Sequence, residues 1–408
     1  MNYLGIGIFA VTYVLISSRR LSWLGFDRPA GALLGAVLCV LFRVLSPTEA
    51  TQAVDGSTLL LLFGVMGMGA FLAVDGFFEH IEARCVASAK TRTRLLAYIV
   101  WGAGILSAFV TNDAVCVLGA PLIVRLIERQ KLPPLPYLLA LATAANTGSV
   151  ATLVGNPQNM LCGLLGHLSY REHLILLGPV ALVGLAINHG LLLLLFRGTL
   201  EGNLIPPETV PPWVTRRTLA SLVVIGLTAL AYTLGAHLAW AAAGGFVVMM
   251  LLHRRDTSQL WSYIDWSVLL FFAGLFVVVE ALMKSGAPTW LFARYPLSFG
   301  THDTYFYLRL STLFLIGSNI VSNVPFILVI RDQMTHLPQA KLGWELLAMA
   351  STFAGNLTLL GSVANIIVAE NARKIGGIGF LPYLRVGFPV AILTTLVGTF
   401  YIITVLGH

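Results

Sequence analysis

The chain has 408 residues, of which 57% are hydrophobic and only 11% carry a charge. Soluble globular proteins carry about 25% charged residues, so this composition excludes a soluble protein of this size. The net charge of +7 does not indicate nucleic-acid binding, because the basic residues lie in short clusters between apolar segments, as in the cytoplasmic loops of a membrane protein.

Apolar segments long enough to cross a membrane follow one another along the chain and indicate an all-α polytopic membrane protein. The first, from Tyr3 to Ser17, has no basic leader, and we interpret it as a spanning helix with its N-terminus outside, not as a signal peptide. The predicted segments lie near residues 2–18, 28–46, 57–75, 95–127, 137–165, 174–197, 218–234, 236–253, 266–283, 304–330, 344–370 and 382–406.

Four of these segments depart from the length or composition of a simple span. Segment 95–127 is too long for one crossing, and basic clusters at both of its ends predict a re-entrant hairpin with its tip at residues 111–113. Segment 304–330 is predicted to enter and leave from the opposite face, with its tip at residues 322–325. Segments 137–165 and 344–370 are interrupted halfway by Gly, Asn and Thr, which predicts two broken helices.

The same order of elements occurs twice, which predicts two repeats over residues 1–197 and 218–408, joined by a cytoplasmic linker at 198–217. Each repeat has five spans, one of them broken, and one hairpin, and this odd number of spans makes the second copy inverted. The predicted topology has ten spans and two hairpins, with both termini in the periplasm and 18 of the 25 basic residues in the cytoplasm. Inverted repeats with interrupted helices are typical of secondary transporters.

The hairpin tips and helix breaks are the predicted substrate site. Non-helical backbone persists in a membrane only inside protein or beside a water-filled cavity, where free N–H and C=O groups can bind an ion or polar solute. A single Ser, Thr or Asn in a span can equally bond a neighbouring helix, but clustering at two symmetric breaks favours function. The predicted substrate-binding residues are Thr111, Asn112, Asn146, Thr147, Ser149, Asn156, Asn159, Ser322, Asn323, Asn356, Thr358, Ser362 and Asn365.

Asp113 is predicted to carry the coupling proton, because an acid at a buried tip must pair, titrate or bind a cation. The alternative is a structural cap of the half-helix behind it. Cys116 is a weaker candidate, as a contact for a metalloid, since buried Cys residues usually serve packing. Asp75 is attributed to interface solvation near a segment end, and His173 to an interface loop. No Lys or Arg falls at either break.

The sequence contains none of the common enzyme or metal-binding motifs. It has no Walker A, GxSxG or HExxH pattern, and its four cysteines show no CxxC spacing, so we expect neither an enzyme nor a bound cofactor or metal.

At these motifs the chain resembles the ion transporter superfamily, which includes arsenite permeases, citrate transporters, sodium/proton antiporters and sodium–dicarboxylate symporters. The stretches that carry the resemblance are SAFVTND at 107–113 with Ala120-Pro121, ANTGS at 145–149, GNPQN at 155–159, SNVP at 322–325 and GSVAN at 361–365. The Asn-Asp tip of the first hairpin and the Asn-x-Pro tip of the second are most similar to the arsenite permease branch.

This resemblance implies efflux of arsenite or antimonite across the cell inner membrane, driven by proton exchange or assisted by a soluble ATPase partner. The alternative within the superfamily is a symporter or exchanger of a small carboxylate or inorganic anion, for which sodium coupling would be expected. A membrane-embedded enzyme or passive channel is the alternative from another class. Besides the solute and the coupling ion, the expected partner is membrane lipid, and no nucleic acid is expected.

Overall fold

The computed structural model describes residues 2–17, 27–206, 214–254, 258–297 and 304–406. Regular structure in these residues is helical, and one isolated bridge joins Thr91 to Asn203. The predicted all-α class is therefore confirmed. Residues 207–213 of the predicted linker and both terminal residues, whose side of the membrane the sequence predicts, lie outside the described part.

The first half of the chain contributes ten α-helices. They are α1 (Tyr3–Ser17), α2 (Arg28–Leu41), α3 (Pro47–Ala53), α4 (Gly56–Val74), α5 (Phe77–Ala89), α6 (Arg92–Phe109), α7 (Asn112–Gln130), α8 (Pro134–Ser149), α9 (Pro157–Leu165) and α10 (Tyr170–Phe196).

The second half contributes ten more within the described residues. They are α11 (Arg216–Thr233), α12 (Leu238–His253), α13 (Ser258–Trp261), α14 (Trp266–Lys284), α15 (Ala287–Arg294), α16 (Thr304–Val321), α17 (Asn323–Met334), α18 (Ala340–Leu357), α19 (Val363–Asn371) and α20 (Phe380–Leu406).

Four of the described helices are long and apolar enough to cross a membrane by themselves, and four shorter apolar helices accompany them. The long ones are α4, α10 with its 3₁₀ extension to Thr199, α14 and α20; the shorter ones are α1, α2, α12 and α16. Four of the predicted segments are divided between consecutive helices, α6 with α7, α8 with α9, α16 with α17, and α18 with α19, whereas segment 218–234 is the single helix α11.

Side-chain caps fix where several spans begin. Asp55 accepts from the Thr58 N–H at 2.6 Å at the start of α4, and Asp265 accepts from the Val268 N–H at 3.1 Å at the start of α14. Both helices have 19 residues. An acidic N-cap satisfies one of the unpaired first-turn N–H groups and suits the positive end of the helix dipole.

The two helix breaks use the same hydrogen-bond pattern. Asn159 Nδ2 donates to the carbonyl oxygens ten and seven residues earlier, of Ser149 at 3.2 Å and Thr152 at 3.1 Å. Asn365 Nδ2 does the same with Gly355 at 2.7 Å and Thr358 at 3.3 Å. Identical spacing in the two halves supports an internal repeat, whose boundaries and inversion stay a prediction.

The helices pack as two groups. The site group contains α6–α10 and α16–α20, where α6 packs on α8, α7 on α19, and α18 on α9 and α20. The flanking group contains α1, α2, α4, α11, α12 and α14, where α2 packs on α14 and α4 on α12. Contacts between the groups include α4 with α9 and α14 with α17. The hairpins and broken helices thus form one packed unit.

The first part of the predicted linker is bound to the site group. The Leu204 N–H donates to the Lys90 carbonyl at 2.9 Å, and Gln130 exchanges two hydrogen bonds with the backbone of Ile205. Leu200 and Leu204 are buried. This stretch therefore holds the outer ends of α6 and α7 together.

Helices α6 and α8 approach so closely that glycine is required at their crossing. A Cβ atom on Gly148 would lie 2.0 Å from the Gly104 carbonyl oxygen, far inside van der Waals contact. Small residues at such crossings let helix backbones meet in membrane proteins.

Gly148→Ala is expected to destabilise the protein by about 1–3 kcal/mol, because α6 and α8 must separate to admit the methyl group. Gly102→Ala on α6 is the matched control, since its Cβ would meet nothing within 4 Å. The measurement is the thermal unfolding midpoint of the purified protein in detergent. Equal midpoints for the two variants would contradict the close crossing.

Candidate functional site

Four half-helices begin around one small cavity between the site group and the flanking group. It has a volume of about 60 Å³ and is lined from the first half by Asn112 of α7 and Pro157 of α9. From the second half it is lined by Asn323 of α17 and Val363 of α19. The positive ends of four helix dipoles therefore point toward one polar region, an arrangement that favours negative or hydrogen-bond-accepting groups.

Asn146 lies at the centre of the hydrogen bonds that join these half-helices. Its Oδ1 accepts from Asn112 Nδ2 at 2.8 Å and from Ser362 Oγ at 3.0 Å. Its Nδ2 donates to Asn356 Oδ1 at 3.0 Å and to Asn365 Oδ1 at 2.9 Å. All four bonds available to an amide side chain are thus made inside the protein.

A second cluster closes the first helix break. Asn156 Nδ2 donates to Ser149 Oγ at 2.8 Å and to Thr352 Oγ1 at 3.0 Å, while its Oδ1 caps the Asn159 N–H at 2.8 Å. Thr352 donates to Asn159 Oδ1 at 2.8 Å. These residues are at most 1% exposed. We call Asn146, Asn156, Asn159, Asn356 and Asn365 the asparagine framework.

The predicted site residues therefore divide into two sets. The framework, with Thr147 and Ser149, is buried and bonded to itself and to nearby backbone; Thr147 accepts from Asn356 Nδ2 at 2.9 Å. Thr358 is half-buried at the end of α18, where it bonds Asn319. The residues that line cavities are Thr111, Asn112, Asp113, Ser322, Asn323 and Ser362.

A larger cavity of about 300 Å³ leads to the tip of the first hairpin. Thr111 and Asp113 line it on the site-group side, and Ser262, Tyr263 and Asp265 line it on the flanking side. Asp113 and Pro157 also line the small cavity. Asp113 therefore stands where the two cavities meet, opposite a second carboxylate.

The Asp113 carboxylate faces the first turn of a half-helix from the other repeat. The Ala364 N–H of α19 lies near it and donates to Ser362 Oγ at 3.2 Å, and Arg28 and Asp265 are the charged groups near it. The N-cap of α19 is Ser362, so a structural role of Asp113 as a cap stays a prediction.

The tip of the second hairpin has unpaired polar groups. Ser322 has a φ of 70°, a conformation that favours glycine, and its side chain does not cap α17. Asn323 is 8% exposed, and its Oδ1 has no hydrogen-bond partner among the described residues. In the first hairpin, by contrast, Thr111 caps the Ala114 N–H. The second tip thus offers hydrogen-bonding groups to the small cavity.

Three residues with charged or amide side chains at these cavities are absent from the sequence-based prediction. Arg28, at the start of α2, and Gln158 line the small cavity, and Asp265 lines the larger one. Arg28 and Asp265 belong to the flanking group and are far from the motifs in sequence. No pattern in the sequence places them here, although Gln158 lies inside the GNPQN stretch.

Two interpretations of single residues are wrong. His173 is not in an interface loop: it is fully buried on α10, 2.7 Å from Glu345 of α18. The Asp75 side chain is not solvated at an interface: it is buried, 2.8 Å from His253 Nε2 and 3.0 Å from Ser221 Oγ. The carboxylates of Asp75 and Glu345 each lie beside a histidine on a helix that is distant in sequence.

Cys116 is fully buried one turn into α7 and packs in an apolar cluster with Tyr383. It lines neither the large nor the small cavity described above. Its role as a metalloid contact stays a low-ranking prediction.

A further cavity of about 240 Å³ lies on the opposite side of the site group, between Asp55, Thr58 and Arg331. Arg331 of α17 bonds Glu280 of α14 at 2.9 Å. Arg331 follows Asn323 by eight residues, and the residue that follows Asn112 by eight is Ala120. Glu280 follows Asp265 by fifteen residues, and the residue that follows Asp55 by fifteen is Ala70, which lines the larger cavity. The ion pair is thus present on one side only.

Comparison with known proteins places the chain among transporters. A family profile described as citrate transporter matches residues 13–354. The silicon efflux transporter LSI3 of Oryza sativa subsp. japonica is 30% identical, covering 96% of this chain and 95% of the relative. A Dictyostelium discoideum protein named as transporter arsB is 25% identical, covering 96% and 90%.

A solved structure shares the fold. The Alcanivorax borkumensis YdaH transporter, described as having an unusual topology, superposes with a TM-score of 0.57 at 15% identity, over 99% of this chain and 97% of that one. Together with the apolar helices, these matches establish an integral membrane protein, and the resemblance to the ion transporter superfamily is confirmed. The chain belongs to the citrate transporter family of that superfamily and is a secondary transporter.

Proposed function

We propose that the protein exports a small uncharged oxyacid, arsenous or antimonous acid first, across the cell inner membrane in exchange for protons. Asp113 is the proton-binding group, and the solute binds beside it between the two hairpin tips. The observation that carries the proposal is the position of Asp113 at the junction of the two cavities, bordered by Asn112, Ser322 and Asn323.

The lining suits a neutral, hydroxyl-bearing solute. Arsenous acid carries three hydroxyl groups and is uncharged near neutral pH. Asn323 Oδ1 accepts hydrogen bonds, and the Asn323 and Val324 N–H groups at the uncapped start of α17 donate them. Silicic acid, another uncharged polyhydroxyl compound, has the same hydrogen-bonding character, which fits the name of the rice relative.

Competition for one carboxylate gives proton exchange a simple physical basis. Ionised Asp113 accepts hydrogen bonds from solute hydroxyl groups at both oxygens, and a proton on the carboxylate turns one of these oxygens into a donor and reduces that acceptor capacity. Solute and proton then occupy the site in turn, as an antiporter requires. The larger cavity connects Asp113 with the α13–α14 side, while the Glu280–Arg331 pair holds α17 against α14 on the other side.

A symporter or exchanger of a small carboxylate or inorganic anion is the second candidate. Arg28 favours it, since a guanidinium binds carboxylates well and lines the small cavity beside Ser322 and Ser362. The family description as citrate transporter points the same way. Against it, Asp113 and Asp265 would both face a bound dianion.

Asp113→Asn is expected to abolish arsenite uptake into everted membrane vesicles driven by an imposed proton gradient, since the amide cannot exchange a proton. Glu128→Gln, an exposed change on the same helix, is the matched control and keeps native uptake. Uptake by Asp113→Asn at the native rate would contradict proton coupling through this residue. Sodium-dependent citrate uptake by the native protein without arsenite uptake would favour the second candidate.

Asn146→Ala is expected to lower the stability of the protein, whereas Asn323→Ala is expected to weaken solute binding. Asn146→Ala leaves buried partners unsatisfied, at a cost of about 1–3 kcal/mol for each group, and lowers the yield and melting temperature of folded protein. Asn323→Ala removes an oxygen that has no partner among the described residues, so stability is kept and the apparent KM for arsenite rises. Unchanged KM in folded Asn323→Ala would contradict solute binding at the second tip.

Arg331→Gln is expected to open the side that the Glu280–Arg331 pair holds closed. The measurement is the rate at which a membrane-impermeant thiol reagent labels Leu328→Cys in the 240 Å³ cavity, with and without Arg331→Gln. Faster labelling is predicted. Arg309→Gln, the same change at an exposed arginine of α16, is the control and leaves the rate unchanged.

A further inference from the structure

His173 and Glu345 form a buried ionisable pair that the proposed transport cycle does not use. His173 Nδ1 lies 2.7 Å from Glu345 Oε2, and the two side chains are 0% and 1% exposed. Ionisable residues inside membrane proteins are costly to bury and mark proton or ion pathways. The pair lies within the site group, between α10 and α18.

The imidazole has an oxygen acceptor at each nitrogen. Nε2 lies 3.2 Å from the Val150 carbonyl oxygen, at the point where α8 ends and the unwound stretch begins. When Nε2 carries a hydrogen and donates it to this carbonyl, a second proton can lie between Nδ1 and the carboxylate. The second carboxylate oxygen, Oε1, accepts no hydrogen bond from the described residues. The geometry of the pair thus has room for one shared proton and keeps an unused acceptor.

The pair lies close to a water-exposed surface. One turn nearer the start of α18, Lys341 bonds Glu172 of α10 at 2.7 Å, and both of these side chains are about half exposed. The same two helices are therefore joined by an exposed ion pair and a buried one. A rise of 1.5 Å per residue separates Glu345 from Lys341 by about 6 Å along the helix axis.

The pair is also connected to the framework at the helix break. Glu345, Thr352 and Asn356 follow one another at intervals of seven and four residues on α18, which places them on one face of the helix. Thr352 bonds Asn156 and Asn159. A change at His173 acts on the same unwound stretch through Val150.

We infer that His173 and Glu345 form a second proton-binding site, which exchanges its proton with water at the membrane face where α10 and α18 begin. This inference rests on the proposed proton-coupled transport. The shared proton moves from the pair to water when the unwound stretch rearranges, and returns when α8 and α9 close again. No bond other than the O–H or N–H bond is made or broken.

Other titratable groups lie near the pair. Cys162 of α9 lies near Glu345, and Tyr170 of α10 packs against Tyr232 of α11 with ring centroids 5.1 Å apart. Glu172 and Lys341 form the exposed ion pair between the same two helices. Only His173 joins a carboxylate to the backbone of the helix break, so it is the group through which protonation reaches the site.

The test compares two kinds of transport in proteoliposomes. Glu345→Gln keeps the hydrogen bonds, because the new amide donates to Nδ1 of a neutral imidazole whose Nε2–H still reaches Val150. This variant is expected to retain arsenite counterflow within about twofold and to lose gradient-driven uptake by about tenfold or more. Lys341→Met with Glu172→Gln, which breaks the exposed bridge between the same helices, is the matched control and keeps both activities.

A spectroscopic measurement separates this inference from the transport proposal. The pH-difference infrared spectrum of the purified native protein should contain a carboxyl or imidazole band that Glu345→Gln removes, whether or not arsenite is a substrate. A native protein that shows the band but transports no arsenite would refute the proposed function alone. Absence of the band, native gradient-driven uptake in Glu345→Gln, or equal loss of both activities would overturn the inference. The pair would then only hold α10 and α18 together.

If Glu345→Gln fails to fold, the double variant His173→Gln/Glu345→Gln, which replaces both ionisable groups by amides, undergoes the same measurements.

Discussion

Backbone groups at a break in a membrane helix must find hydrogen-bond partners inside the protein, and here asparagine side chains provide them. Asn159 and Asn365 each bind two carbonyl oxygens released by a break, and Asn146 joins the first hairpin to Asn356 and Asn365 of the second broken helix. This framework has almost no exposed surface. It holds the half-helix ends in place and leaves the hairpin tips to face the cavities.

The positions of the breaks could be predicted from the sequence because their cause is local. Gly and Thr interrupt apolar segments at 150–156 and 358–362, together with Asn in the first and Ser in the second, and basic clusters at both ends of 95–127 predict a hairpin in place of a full crossing. The matching motifs in the two halves also contain the asparagines of the framework. The role of each asparagine could not be predicted in the same way. A buried amide that bonds a backbone carbonyl and one that binds a solute cannot be distinguished in the sequence.

The residues that the sequence did not indicate come from other parts of the fold. Arg28 and Asp265 reach the cavities only because α2 and α14 pack beside the hairpins, and His173 meets Glu345 across 172 residues of chain. Such contacts depend on tertiary packing, which no local pattern encodes. They also change the chemistry, since the site contains an arginine that neither break supplies.

The two sides of the site group carry different side chains. Ala70 lines the larger cavity and Ala120 lies on α7, whereas Glu280 and Arg331 form an ion pair at the corresponding positions opposite. The repeats thus provide similar half-helices, and their side chains make the two routes unequal. Whether the site group rocks or slides against the flanking group, its solute must compete with a proton at Asp113 in the proposed cycle.

The most direct measurement is proton release from purified protein in weakly buffered detergent solution when arsenous acid is added. The account predicts release of about one proton per bound solute, because the solute displaces the proton from Asp113. Asp113→Asn should release none. Saturable binding of arsenous acid without proton release, or equal release from Asp113→Asn, would contradict the account.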